Sequence, residues 1–110
     1  MYKHLFFAVS AAILLVGSIS ETHAQQLNGR FNDGASTSIR ILSEKPLRVR
    51  YCYRGRCSNW NGSGTVASFT LKFPRNGSFP GATFSATKTG NGYNATYQQN
   101  GGQKFTATYR

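Results

Sequence analysis

The chain predicts an all-β fold: a single small antiparallel up-and-down meander of seven or eight short strands, arranged as a compact barrel or sandwich. Three observations predict it. Five Asn-Gly dipeptides (Asn28-Gly29, Asn61-Gly62, Asn76-Gly77, Asn91-Gly92 and Asn100-Gly101) punctuate the sequence after residue 24, and Asn-Gly tolerates the positive φ that tight hairpins need. The segments between them are short, rich in Thr, Tyr, Phe, Val and Ile, and alternate with period two. No window carries a helical period.

The first 24 residues stand apart. Met1–His4 carries Lys3, Leu5–Gly17 is apolar, and Thr22-His23-Ala24 ends in a small residue ahead of Gln25-Gln26. This is the pattern of a secretory signal peptide cleaved after Ala24. The apolar run falls short of the roughly 20 residues that span a bilayer, and no membrane span is expected in the mature chain. The expected organisation is therefore a leader, 1–24, and a basic all-β domain, 25–110, in the periplasm or secreted.

Strands follow in order. A weak one covers 27–31. The next, 37–42, turns Ile39 and Ile41 inward and Arg40 outward. In 47–53, Leu47, Val49, Tyr51 and Tyr53 share one side; Arg48, Arg50 and Cys52 fall on the other, with Arg54 at the strand end. If Ile41 meets Val49 across a Glu44-Lys45-Pro46 loop, Arg40 lands opposite Arg50. Like charges directly opposed are unfavourable, an arrangement that makes sense if an anion sits between them. Pairing Cys52 with Cys57 leaves Tyr53-Arg54-Gly55-Arg56 as a turn, with Arg54 and Arg56 projecting from its tip. The strand 57–61 then sets Trp60 opposite Val49 on the apolar side, a core position despite the Asn59 and Asn61 that make it resemble a sugar-stacking platform.

A strand over 65–73 comes next. Pro74 and Pro80 make Phe73–Gly81 a loop. Strands 82–88, 93–98 and 104–109 repeat the pattern aromatic-x-Ala-Thr. Pairing 84 with 97, and 97 with 105, aligns Phe84–Tyr97–Phe105 and Ala86–Ala95–Ala107 on the inner face. The alanine row leaves room for a large side chain such as Trp60 or Phe69, with a ligand groove as the alternative. Ser85, Thr87, Asn94, Thr96, Thr106 and Thr108 form the opposite, solvated face.

Chemistry is bounded by what the chain lacks. Gln25–Arg110 has no histidine and two carboxylates, Asp33 and Glu44, against 12 Lys plus Arg. No catalytic residues, metal or cofactor are expected, because general acid–base catalysis and metal ligation need groups this chain does not own. No motif supports a Ser–Lys dyad. Cys52 and Cys57 are the only cysteines, and in an exported domain they form a disulfide.

What remains is binding. The expected ligand is an acidic polymer, such as an envelope glycan, lipopolysaccharide phosphate or other polyanion, held by Arg40, Arg48, Arg50, Arg54 and Arg56. The planar fork of arginine suits sulfate, phosphate and carboxylate better than lysine does. Nucleic acid is disfavoured as a partner, since export removes the protein from most of it. The alternative is a small inhibitor of a secreted enzyme that presents the Cys52–Cys57 arginine loop.

Overall fold

The computed structural model describes residues 25–110; the expected leader, 1–24, lies outside the described residues. Strands β1 (Leu27–Arg30), β2 (Ser36–Glu44), β3 (Leu47–Tyr53) and β4 (Arg56–Asn61) form one antiparallel sheet in that order. Strands β5 (Ser63–Gly64), β6 (Ser68–Phe73), β7 (Ala82–Thr89), β8 (Gly92–Gln99) and β9 (Lys104–Tyr109) form a second. The all-β meander expected from the sequence is present, and the described residues contain no helix.

The strands do not close as one continuous barrel. Two sheets face each other across a shared core and meet along two seams. At the first, the Asn28 N–H donates to the Arg110 carbonyl at 3.0 Å and the Arg110 N–H returns a bond at 2.9 Å. A bridge from Phe31 to Ala107 extends that contact. The second is covalent: the chain passes from β4 into β5 through Gly62, whose N–H donates to the Leu47 carbonyl at 2.9 Å as one more rung of the β3–β4 ladder.

Alternation sets which side chains enter the core. Ile39 and Val49 from the first sheet and Leu71, Phe84 and Tyr109 from the second are the largest side chains fully buried. Burial of each aliphatic or aromatic side chain contributes roughly 1.5–3 kcal/mol, offsetting the entropy lost by ordering a small domain. The predicted registers hold: Ile41 faces Val49, Trp60 faces Val49, Phe84 faces Tyr97, and Tyr97 faces Phe105. The alanine row is bracketed by rings, with Phe69 opposite Ala86 and Phe31 bridging Ala107. Trp60 is elsewhere, edge-on to Phe73 with ring centroids 4.7 Å apart.

One strand differs from expectation. The run 65–73 is not continuous: β5 ends at Gly64, and the chain reverses through Thr65–Ser68, whose N–H and carbonyl groups exchange bonds of 2.9 and 3.1 Å. Gly64 permits this, because its φ of +103° is closed to residues with a side chain. The central pair, Val66-Ala67, holds none of the usual turn residues, so the reversal carries no signal of its own.

Two buried phenols connect this packing to pH. The Thr37 hydroxyl lies 2.8 Å from the Tyr109 hydroxyl and donates to the Cys52 carbonyl at 2.8 Å. Burial pushes the Tyr109 phenol well above its ordinary value, the Thr37 hydrogen bond opposing only in part. Burial does the same to Tyr51, and the nearby Tyr109 adds to it. The folded state therefore keeps protons that the unfolded chain releases near pH 10. Stability is complete below that pH and falls above it, by about 1.4 kcal/mol per pH unit for each phenol. Urea midpoints are expected to drop steeply between pH 9.5 and 11. Full ionisation of all tyrosines near pH 10, read at 295 nm with the fold intact, would contradict this packing.

Candidate functional site

The outer face of the first sheet gathers arginines by register. Arg40 stands directly opposite Arg50, and Arg50 opposite Asn59. Arg48 lies opposite Asn61 on one side and Ser43 on the other, across a bulge at Leu42. Directly opposed side chains start only about 5 Å apart at Cβ. In water, two such charges repel by somewhat under 1 kcal/mol, a cost the sheet bears without a carboxylate in the row. Glu44 is opposite Leu47 at the hairpin end, and Asp33 accepts the Ala35 N–H at 3.0 Å in a separate turn. Arg48 and Arg50 are exposed, whereas Arg40 is half-buried and its Nε has no hydrogen-bond partner among the described residues.

The hairpin tip is tighter than the sequence suggested. Cys52 and Cys57 are opposed and bonded as a disulfide, and pairing continues one step further, to Tyr53 and Arg56. The turn is therefore only Arg54-Gly55, both left-handed with φ of 51° and 82°, the geometry of a two-residue primed hairpin. The Arg54 N–H donates to the Ser36 carbonyl at 2.9 Å, and its guanidinium sits 5.5 Å from the Tyr53 ring centre. The extra pair has a consequence for Arg56. It shares the Tyr53 side of the sheet, away from Arg48 and Arg50. The five predicted arginines are thus divided: Arg40, Arg48 and Arg50 together, Arg54 at the tip, and Arg56 on the inner side.

The disulfide closes a small ring, so its entropic contribution is about 2 kcal/mol. Replacing both Cys52 and Cys57 by Ser is expected to lower unfolding free energy by that amount, checked by urea denaturation, and to leave the sheet registers intact. A loss above about 4 kcal/mol would show that the bond holds more than its hairpin.

Arg56 opens onto a site that the sequence did not reveal. At this end of the sandwich, Phe31, Tyr51, Trp60, Phe73, Tyr97 and Phe105, with Tyr53 and Phe79, line a cavity of about 500 Å³. The rings pack in series: Phe31 lies 5.9 Å from Tyr97 and 6.5 Å from Phe105, and Tyr97 lies 6.1 Å from Phe73. Arg56, Asp33, Ser58, Asn76 and Gln99 supply the polar rim. The indole Nε1 of Trp60 has no hydrogen-bond partner among the described residues. Burial raises the Tyr97 phenol above its ordinary value, a Gln99 hydrogen bond opposing. The loop after β6 contributes Phe79, held by reciprocal backbone bonds with Asn76. Alternation identified these rings as inward-facing; their convergence on one end depends on how the two sheets meet.

The far end has a different character. Lys88, Thr89, Asn91 and Asn94 line a second cavity there beside Leu27 and Val66. The threonine face of the second sheet is largely exposed, with Thr108 donating to Asn94 at 3.2 Å. Among the described residues, no three His, Cys, Asp or Glu side chains stand together as a metal site. Compared with family models, with curated proteins and with solved structures, the chain matches none.

Proposed function

We propose that this is a non-enzymatic binding protein, exported to the periplasm or secreted, whose outer arginine face engages an acidic polymer. The observation that carries the proposal is the direct opposition of Arg40 and Arg50, with Arg48 beside them and no carboxylate in the row. A sulfate, phosphate or carboxylate between opposed guanidiniums converts their repulsion into charge-assisted hydrogen bonding. Asn59 and Asn61 add neutral donors on the same face, and the domain's net positive charge speeds encounter with anions. The Cys52–Cys57 bond supports an oxidising compartment outside the cytosol. The targets that fit are anionic envelope glycans and lipopolysaccharide phosphates.

The test is a charge-matched pair of double variants made in protein produced from the full chain with its disulfide formed. Arg48→Ser with Arg50→Ser is expected to lower affinity for dextran sulfate about tenfold or more at physiological salt, since a hydrogen bond to a charged group contributes about 1.5–3 kcal/mol. Lys72→Ser with Lys104→Ser removes the same charge from exposed positions on the second sheet and is expected to have little effect. Equal losses in the two would reduce the arginine face to background charge.

A second reading, an inhibitor presenting the Cys52–Cys57 loop, is favoured by one observation. Arg54 occupies a left-handed conformation that a side chain disfavours by about 1–2 kcal/mol, and strain of this kind is retained at functional tips. Arg54→Gly is expected to abolish inhibition of a trypsin-like protease; wild-type protein that inhibits none removes this reading.

A further inference from the structure

The aromatic end of the sandwich is unlike the rest of the surface. Small-molecule sites are concave, mainly apolar and aromatic, with a few fixed polar groups, and enclose about 300–1,000 Å³; at about 500 Å³ this cavity lies within that range. Phe31 and Phe73 present buried rings, and Tyr53 at the rim is 38% exposed. The aromatic surface is thus turned into the cavity, with Tyr53 alone among these rings exposed at its mouth. Only Tyr and Trp among these side chains carry a polar atom, so the walls favour a flat apolar body over a hydroxyl-rich one.

The polar groups decide what such a body must carry. Arg56 is exposed at the rim, and its guanidinium makes no hydrogen bond or ion pair among the described residues. Arg54 stands beside it over Tyr53. The one carboxylate at the rim, Asp33, already accepts the Ala35 N–H, and a single negative charge does not balance two guanidiniums. Trp60 lines the same cavity, its ring edge-on to Phe73 with centroids 4.7 Å apart.

We infer that this end of the sandwich is a binding site for a small amphipathic anion, its apolar ring body among Phe31, Phe73, Tyr97 and Phe105 and its acidic head at Arg56. The site is independent of the outer arginine face: Arg56 and Arg50 lie on opposite sides of one sheet. Trp60 is the only tryptophan in the chain, so its emission reports on this cavity and no other.

The experiment titrates protein produced from the full chain with two probes of the same ring body. One is 1-anilinonaphthalene-8-sulfonate; the other, N-phenyl-1-naphthylamine, lacks the sulfonate. The sulfonate probe is expected to bind one to one, saturably, with quenching of Trp60, and about tenfold more tightly than the neutral probe, a charge-assisted contact of ordinary size. Arg56→Gln is expected to erase that difference and leave the neutral probe unchanged. Lys72→Gln, exposed on the outer face of the second sheet, is expected to change neither. Ser58 is exposed and lines the cavity, so Ser58→Phe is expected to block both probes without disturbing the core, with an unchanged urea midpoint as the check. Equal affinity for the two probes, or equal effects of Lys72→Gln and Arg56→Gln, would overturn the assignment. So would a shift of Trp60 emission with protein concentration alone, which would give the cavity to a second copy of the chain. Dextran sulfate affinity is read separately, so failure here leaves the arginine-face proposal standing, and the reverse.

Discussion

Phe84→Ala is expected to remove a large share of the domain's stability. The Phe84 ring is fully buried and touches both sheets, with centroids 5.0 Å from Tyr51 and 6.0 Å from Tyr109. Truncating a buried phenylalanine costs about 3–5 kcal/mol, because the cavity it leaves collapses only in part. A domain of this size has roughly 4–13 kcal/mol of stability in all. Phe84→Leu, which keeps most of the volume, is expected to cost less than half as much. Urea denaturation of the two variants distinguishes a packing loss from a general intolerance at this position; equal midpoints would mean that the ring does not join the sheets.

Gly29→Ala tests the first seam. A Cβ at Gly29 would overlap the Thr108 carbonyl oxygen and press on the Tyr109 ring. Neither the β9 backbone nor a fully buried Tyr109 can give way cheaply, so β1 must lift from β9. The expected cost is about 2–4 kcal/mol, in the range of overpacked or seriously disturbed core sites. Hydrogen exchange is expected to accelerate first at the amides of Asn28 and Arg110, which bond to each other across that seam. A variant with wild-type midpoint and protection would show that the two strands do not meet as described.

Most of the fold was legible because the side-chain period of a strand leaves little freedom. Once Phe84, Tyr97 and Phe105 are required to share a face, the β7–β8–β9 registers follow, and the same logic aligned Ile41, Val49 and Trp60. The disulfide reinforced that alignment by fixing Cys52 opposite Cys57. Legibility ended where the chain turns without turn residues. Val66-Ala67 is a reversal enabled by the glycine before it, and residue-by-residue propensity reads it as strand. It also ended at the Arg54-Gly55 turn, where one additional pair moved Arg56 to the other side of the sheet. The outer row Arg40–Arg50 could be read from sequence because it is a local matter of register. The aromatic cavity could not, because Phe31, Trp60, Phe79 and Phe105 lie far apart in the chain and become neighbours only when two sheets are stacked.

The bonds between Asn28 and Arg110 make the described domain, in effect, a ring with one cut in it. Its two ends are adjacent, so a short Gly-Ser linker is expected to join them, and a new cut in the exposed Gly90-Asn91 turn would give a circular permutant of the same shape. Gln25, Leu27 and Arg110 line the cavity at the end opposite the aromatic rings. A tag or tether continuing from Gln25 or Arg110 would thus leave the described domain at the end opposite its aromatic rings.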